Sequence, residues 1–202
     1  MNIGEVQVAR KIAFGVAIAA SILLFSVTSS LYPSGGRIHE LIEWIGIVLI
    51  VICILGRTWA SLYIGGRKIE QLITIGPYSV TRNPLYFFSV LGAAGAGAQL
   101  GSVTVGLLSA AFAWLGFYVV VMMEERLLAE RFGAAFAEYT GSVPRFFPNP
   151  MLWRDEQMLT VQPPRVLKTF ADALVFLLAV PVAEGFEWLQ EIGVLPVLFL
   201  LP

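Results

Sequence analysis

Two short polar blocks interrupt an otherwise apolar chain, and they contain the side chains that could do chemistry. The first block, residues 76–86, includes Arg82 and Pro84, and the second is the carboxylate pair Glu124 and Glu125. An arginine offers a forked set of donors to a carboxylate or another anion. Carboxylates accept hydrogen bonds from hydroxyl groups or face a cationic centre. The two blocks together would therefore suit a polar ligand that carries groups of both kinds.

The composition places these blocks in an integral membrane protein. Of the 202 residues, 57% are hydrophobic and 13% are charged, with a mean hydropathy of +0.79. Soluble domains carry roughly 25% charged residues. The net charge of −1 gives no reason to expect nucleic acid as a partner. The single cysteine, Cys53, lies in an apolar run, so we expect neither an internal disulfide nor a cysteine-based metal site, and we predict no metal site elsewhere.

Four apolar segments are candidates for membrane-spanning helices, each of which needs roughly 20 residues. They cover residues 12–31, 38–55, 84–100 and 103–123. Because so little chain separates the last two segments, we expect them to form a tight antiparallel hairpin. The third segment contains Gly92, Gly95 and Gly97. Such small residues let a second helix approach closely, or they leave room for a ligand, and the sequence allows both.

The C-terminal tail departs from this pattern. Its apolar segments, residues 170–180 and 194–200, are separated by Glu184, Glu187 and Glu191. In one straight span these acids would lie near the middle of the bilayer, which is costly. We therefore expect a kinked helix or a short re-entrant pair.

These segments together predict an all-α polytopic membrane helix bundle with about five transmembrane helices. We expect a single membrane domain over residues 1–202. Within it, residues 1–75 hold the first two helices and a loop, residues 76–150 form the ligand-binding core, and residues 151–202 form the tail.

The basic residues predict the orientation of the bundle. On alternating helices, one side of the membrane receives Arg10, Lys11, Arg57, Arg67, Lys68, Arg82, Arg126, Arg131, Arg145, Arg154, Arg165 and Lys168, and the other receives Arg37. Since positive loops stay in the cytoplasm, the N-terminus and both polar blocks are predicted to be cytoplasmic. The only histidine, His39, would start the second helix on the opposite face, where we expect a structural role.

The polar blocks also allow local predictions. Asn83 is placed to be the N-cap of the third helix and Pro84 to occupy its first turn. The free N–H groups at that helix start suit an anion. Glu124 and Glu125 either form a solvated helix end with salt bridges to nearby arginines or bind a ligand. S-adenosylmethionine has a carboxylate, a sulfonium cation and ribose hydroxyls, and it is one of several ligands that this set would accept.

Three further residues have two interpretations each. Arg57 lies among aromatic and basic residues, as in an interfacial belt, or it orients an acidic headgroup or carboxylate of a substrate. Tyr139 and Arg145 follow the fourth helix, in a segment that either folds back as a lid over the ligand or packs and snorkels at the interface.

The order and spacing of the blocks resemble the isoprenylcysteine carboxyl methyltransferase family, in its bacterial form, over roughly residues 45–150. The wider group includes the membrane phosphatidylethanolamine methyltransferases. The residues that carry the resemblance are Gly76, Pro77, Tyr78, Arg82, Asn83, Pro84, Leu85, Tyr86, Glu124, Glu125, Leu128, Phe132, Gly133, Phe136, Tyr139, Val143, Pro144, Arg145, Phe146, Phe147 and Pro148. The resemblance implies an integral membrane enzyme that transfers a methyl group from S-adenosylmethionine to a lipophilic substrate entering from the bilayer. S-adenosylhomocysteine would be the product.

Most of the expected cofactor-binding residues follow from matching this chain to the family's motifs, and Tyr78, Gly92, Tyr139 and Arg145 are added from the local patterns described above. The expected set is Tyr78, Arg82, Asn83, Pro84, Tyr86, Gly92, Gly95, Gly97, Glu124, Glu125, Tyr139 and Arg145. We assign catalytic roles to Glu124 and Glu125, and substrate orientation to Arg57. Asn83 stands where the family usually has histidine. Because asparagine does not titrate near neutral pH, we expect it to bind the cofactor rather than to act as a base.

The sequence leaves the methyl acceptor and two other functions open. A carboxylate nucleophile needs no base, whereas an amine would need Glu124 or Glu125 to take its proton. A membrane reductase that uses NADPH, of the steroid-reductase type, is an alternative, although it would need more basic groups for the cofactor phosphates. A non-catalytic scaffold or small transporter is the other alternative. A transporter would place charges within the bilayer, whereas this chain gathers them at one face.

Overall fold

Apolar helices dominate the computed structural model, which describes residues 3–65 and 71–202. Within these residues the elements are α1 (Ile3–Val27), β1 (Thr28–Ser30), α2 (Arg37–Ile64), α3 (Pro77–Val80), α4 (Pro84–Ala98), α5 (Val103–Phe132), α6 (Ala134–Ser142), a 3₁₀ turn (Pro150–Leu152), α7 (Pro163–Leu174), a second 3₁₀ turn (Val175–Leu178), α8 (Ala179–Glu191) and β2 (Phe199–Leu201). Three helical stretches, Arg37–Ile64, Val103–Phe132 and Pro163–Glu191, are long and apolar enough to cross a membrane, and Ile18–Val27 and Pro84–Ala98 are shorter apolar helices. The predicted all-α membrane bundle is confirmed.

Two helices extend further than hydropathy predicted. Helix α2 continues past residue 55 to Ile64, so Arg57 lies within the helix and not in a loop. Helix α5 continues past residue 123 to Phe132, so Glu124 and Glu125 are not at a helix end. Hydropathy marks where apolar residues stop, whereas α5 itself ends at Gly133, which adopts a positive φ of 50°.

The structure of the C-terminal tail agrees only in part with the prediction of a kinked helix or a short re-entrant pair. The chain stays helical from α7 through a 3₁₀ turn to α8, so the re-entrant pair is wrong and a single interrupted helix is present. The 3₁₀ turn precedes Pro181, which has no N–H to donate to the preceding turn. Residues 194–200 are not a membrane helix, because β2 pairs in parallel with β1, with Thr28 opposite Phe199.

Small residues allow the helices to pack closely. Helix α4 lies against both α2 and α5, and α7 lies against α2. The predicted tight hairpin joins α4 to α5 through Gly101, which has a φ of 61°, and Ser102, whose hydroxyl accepts a 3.2 Å hydrogen bond from the Val105 N–H at the start of α5.

The alternating helices give the bundle two distinct ends. We call the end that contains the end of α2, the start of α4, the end of α5 and the start of α7 the site end. At the site end α2 approaches α7, since a Cβ at Gly65 would lie 3.4 Å from Arg165. The far end contains the start of α2, the α4–α5 turn and the two strands. At the far end, Gln190 donates a 3.0 Å hydrogen bond to the Thr28 carbonyl. The predicted positions of Arg67 and Lys68 fall outside the described residues.

Candidate functional site

The two polar blocks meet in one pocket at the site end. The pocket has a volume of about 70 Å³ and is lined by Ile64, Gln71, Leu72, Ile73, Tyr78, Arg82, Asn83, Pro84, Leu85, Tyr86, Glu124, Glu125, Leu128, Phe136 and Tyr139. The two polar blocks come together because α4 and α5 pack antiparallel, which places the start of α4 beside the second half of α5. The pocket therefore combines charged groups with an apolar wall from α5, α6 and the segment after α2.

Glu124 is held by a tyrosine on the neighbouring helix. The Tyr86 hydroxyl donates a 3.0 Å hydrogen bond to Oε1 of Glu124. Glu124 is 8% exposed although it is a carboxylate. A buried carboxylate is costly without donors, and at the pocket wall the Tyr86 hydroxyl supplies one to Glu124.

Glu125 faces two arginines from outside α5. Arg145 approaches it in a bidentate manner, with Nε at 3.2 and 3.1 Å from the two carboxylate oxygens and Nη2 at 3.0 Å from Oε2. Nε of Arg82 lies 3.5 Å from Oε1 of Glu125. Burial lowers the pKa of Arg82, and Glu125 opposes that change. An arginine nevertheless stays charged in this setting, so Glu125 lies between two fixed cations, of which Arg82 lines the pocket together with Glu124 and Glu125.

The segment after α6 crosses the first polar block and holds it in place. Nδ2 of Asn83 donates a 3.1 Å hydrogen bond to the Arg145 carbonyl, and the Arg82 N–H donates to the Pro144 carbonyl at 2.9 Å. Asn83 does precede α4, as predicted, but its side chain makes no capping bond. Its amide instead connects α4 to the segment that carries Arg145.

A pair of tyrosines joins α6 to α3 beneath the pocket. The Tyr139 hydroxyl donates a 2.6 Å hydrogen bond to the Tyr78 carbonyl. Burial raises the pKa of both Tyr78 and Tyr139 above the ordinary tyrosine value, so both phenols are neutral at physiological pH. Tyr139 thus positions α3, the element from which Tyr78 reaches the pocket.

Two buried polar atoms on the pocket wall are left without a hydrogen bond among the described residues. They are the hydroxyl of Tyr78 and Nε of Arg82, and the latter still has Glu125 as an ion-pair partner at 3.5 Å. Such groups are uncommon in folded proteins because desolvating them without a partner costs free energy. Both residues line the cavity, so a ligand with polar groups could satisfy them.

Four residues predicted for the site lie elsewhere. Arg57 donates a short hydrogen bond to Ser89 between α2 and α4. Gly92 faces the Cys53 side chain, Gly95 faces the backbone at Gly46, and Gly97 faces α5 near Ser109. The structure gives the three glycines a helix-packing role and does not bring them to the pocket.

A second, apolar cavity of about 270 Å³ lies between α1, α4, α5 and the tail helix. Its lining includes Ser89, Ala93, Ala113 and Phe117. The Phe117 ring packs on Tyr86 with centroids 5.0 Å apart. Because Tyr86 also lines the polar pocket, the Tyr86–Phe117 ring pair lies between the two cavities. The Arg57–Ser89 contact lies at the edge of the apolar cavity, since Ser89 is part of its lining.

Sequence reasoning missed the apolar half of the pocket and the second cavity. Leu72 and Ile73 line the pocket but show no chemical pattern in the sequence. A hydropathy profile identifies apolar helices, and it does not show which of their faces leave a gap.

Residues 41–135 match the phospholipid methyltransferase family. The cobalt-zinc-cadmium resistance protein CzcN of Cupriavidus metallidurans is 39% identical over 162 residues, which cover 80% of this chain and 74% of that protein. The nickel-cobalt-cadmium resistance protein NccN of Alcaligenes xylosoxydans xylosoxydans is 36% identical over 159 residues, covering 78% and 74% respectively. No solved structure matches the chain significantly.

Proposed function

This chain belongs to the phospholipid methyltransferase family, a group of membrane methyltransferases, and we propose that it transfers a methyl group from S-adenosylmethionine to a lipophilic acceptor at the cytoplasmic face of the membrane. One observation carries the proposal. A polar pocket lined by Arg82, Glu124 and Glu125, where the Tyr78 hydroxyl makes no hydrogen bond to the described residues, shares a wall, formed by Tyr86 and Phe117, with an apolar cavity. A polar methyl donor and an apolar acceptor need such adjoining sites.

The residues of the pocket fit the groups of the cofactor. Arg82 would bind its carboxylate. Glu124 would accept hydrogen bonds from the ribose hydroxyls or face the ammonium group, and the Tyr78 hydroxyl would gain a partner. Leu72 and Phe136 supply an apolar surface for the adenine ring. The bound cofactor supplies an electrophilic methyl group on a sulfonium centre.

The chain's own contribution is to orient the acceptor and to exclude water. The apolar cavity would hold the acceptor's tail, which arrives from the bilayer between α1 and the tail helix. Arg57 lies at the edge of this cavity and would orient an acidic headgroup. Alignment and desolvation of two bound reactants account for much of the rate in such transfers. For an amine acceptor, Glu124 is the nearest group that could take the proton.

The charge pattern supports a cytoplasmic site end. Arg154, Arg165 and Lys168 lie on the elements at the site end, whereas Arg37 starts α2 at the far end. Positively charged residues are retained in the cytoplasm during insertion. Labelling of single introduced cysteines at residues 37 and 154 in intact cells would test this orientation.

Cofactor binding and transfer can be tested separately. We expect S-adenosylhomocysteine to raise the thermal denaturation temperature of the purified protein and NADPH not to do so. Glu124→Gln should abolish the protection, while Glu130→Gln, an exposed acid on the same helix, should keep it. Incubation with labelled S-adenosylmethionine and a lipid extract, followed by mass spectrometry, would identify the acceptor. Protection by NADPH alone, or the lack of any methylated lipid, would contradict the proposal.

The names of the two relatives suggest a setting for this reaction. Both are named for resistance to cobalt and cadmium together with zinc or nickel. We propose that this chain's methyl acceptor is a membrane component whose modification helps cells to tolerate divalent transition metals. A deletion strain should then grow less well on zinc or cobalt, and the wild-type protein, but not the Glu124→Gln variant, should restore growth.

A further inference from the structure

A histidine and two carboxylates come together at the far end of the bundle, away from the methyltransferase pocket. Nε2 of His39 lies 3.3 Å from Oε1 of Glu43 and 3.4 Å from Oε1 of Glu187. One atom from each of the three residues lies within 4.8 Å of the others. His39 and Glu43 are one turn apart on α2, whereas Glu187 comes from α8. We propose that these three residues bind a divalent transition-metal ion of the zinc class.

The distances favour a shared ion over two direct ion pairs. A charge-assisted N–H···O⁻ bond is about 2.7–2.9 Å long, and both observed separations are longer. In a tetrahedral zinc site with bonds of about 2.0–2.2 Å, neighbouring ligand atoms lie roughly 3.3–3.6 Å apart. The two observed separations match two edges of such a tetrahedron, and the third edge, between the two carboxylate oxygens, is within 4.8 Å.

The charges also favour a divalent ion. A protonated His39 would supply one positive charge against two carboxylates, whereas a neutral imidazole, two carboxylates and a divalent cation balance. Glu184 and Glu191 lie close enough to Glu187 to act on it electrostatically and add to the negative field. Imidazole and carboxylate oxygen together are a ligand set typical of zinc.

The histidine is held in a ligating orientation by packing. His39 is 3% exposed, and its Nδ1 atom makes no hydrogen bond to the described residues. The ring lies against Gly101, where any side chain would collide with it. The ring is thus fixed with Nε2 toward the carboxylates, while the partial exposure of Glu43 and Glu187 leaves an entry path and a position for water.

A bound ion would join the start of α2 to α8. The helical tail that includes α8 supplies Phe176, Ala179 and Val182 to the wall of the apolar cavity. The ion would therefore fix the tail helix, which forms one wall of that cavity, at the far end of the bundle. This inference uses none of the residues of the methyltransferase pocket and stands independently of it.

The experiment is a metal titration of the purified, tag-free protein after treatment with a chelator. We expect one equivalent of Zn²⁺ to bind and to raise the denaturation temperature by on the order of 5 °C, and Mg²⁺ to have no effect because it prefers oxygen ligands. Co²⁺ bound at the same site should show visible absorption bands of a tetrahedral complex. Glu187→Gln should weaken Zn²⁺ binding by about tenfold or more, while Glu184→Gln, which removes a nearby charge but no ligand atom, should weaken it much less.

His39→Gln should also weaken binding, and Glu43→Gln provides a second test if the buried His39 variant does not fold. Protection by S-adenosylhomocysteine, measured in the same samples, reports folding of the other site. Absence of saturable Zn²⁺ binding by the wild-type protein would overturn the inference, as would equal binding by Glu187→Gln. A stability loss in these variants without any metal response in the wild type would mean that the cluster is an ion-pair network only.

Discussion

The hydroxyl of Tyr86 on α4 donates a 3.0 Å hydrogen bond to the carboxylate of Glu124 on α5, and this contact joins the two helices at the pocket wall. Both side chains are buried. The ring of the same tyrosine packs on Phe117, which lines the apolar cavity, with the ring centroids 5.0 Å apart. One tyrosine therefore positions a carboxylate on one side and separates the two proposed substrate sites on the other.

The first prediction concerns the Tyr86 hydroxyl. In Tyr86→Phe, Glu124 loses a donor and its carboxylate is no longer held toward the pocket. Loss of a hydrogen bond to a buried charged group costs about 1.5–3 kcal/mol, so we expect S-adenosylhomocysteine to bind about 10- to 100-fold more weakly. Calorimetric titration measures the change. Tyr118→Phe, at a more exposed tyrosine on α5, is the control and should bind as the wild type does.

The second prediction concerns the two arginines that share Glu125. Glu125→Gln removes the charge that orients Arg145 and Arg82, so both ligand affinity and thermal stability should fall. Arg145→Lys keeps the charge but cannot make the bidentate contact, and its effect should be smaller than that of Glu125→Gln. If Arg145→Lys has as large an effect as Glu125→Gln, the bidentate geometry of the arginine, and not its charge, would determine ligand affinity and stability.

The third prediction concerns stability at high pH. Burial raises the pKa of Tyr139 above its unfolded value, so the folded state resists ionisation of this group. Its contribution to stability is complete below pH of about 10, the unfolded value, and is lost as the pH rises above it. The denaturation temperature should therefore fall above that pH, and less steeply in Tyr139→Phe than in the wild type. Tyr32→Phe, in the loop after β1, should keep the wild-type slope.

The fourth prediction concerns the apolar cavity. Ala113→Leu adds apolar atoms to a wall residue of that cavity. Since the added atoms would occupy the space proposed for the acceptor's tail, the KM for a lipophilic acceptor should rise about tenfold, which corresponds to about 1.4 kcal/mol. Protection by S-adenosylhomocysteine should not change. Ala111→Leu adds the same atoms at an exposed position of α5 and should leave the KM unaltered.

The fifth prediction separates helix packing from cofactor binding at a glycine. A Cβ at Gly97 would lie 2.5 Å from Oγ of Ser109 and 2.6 Å from the Val105 carbonyl oxygen. Gly97→Ala should therefore lower the denaturation temperature, because α4 and α5 must move apart. Gly185→Ala, where nothing lies within 4 Å, should be neutral or stabilising. If Gly97→Ala instead kept its stability and lost cofactor affinity, the sequence-based assignment of this glycine would be supported.

The helical tail shows where prediction from sequence was least successful. Glu184, Glu187 and Glu191 argued against a straight span, and the chain indeed contains a 3₁₀ turn within a continuous helix. Hydropathy could not predict that Glu187 contacts His39, because His39 lies far away in the chain, on α2. The strand pairing of residues 199–201 with β1 was missed for the same reason, because it depends on a contact between distant segments.

The sequence by itself determined the class of the molecule and most of its chemistry. Apolar runs specify membrane helices because backbone groups in lipid must bond within the helix, and the order of the blocks around Arg82 and Glu124 identified the family. Only the tertiary structure decided the neighbours of those residues. The Arg145–Glu125 contact, the Tyr139–Tyr78 bond and the exclusion of Gly92, Gly95 and Gly97 from the pocket all depend on which helix faces meet. Hydropathy averages over helix faces, whereas packing distinguishes them.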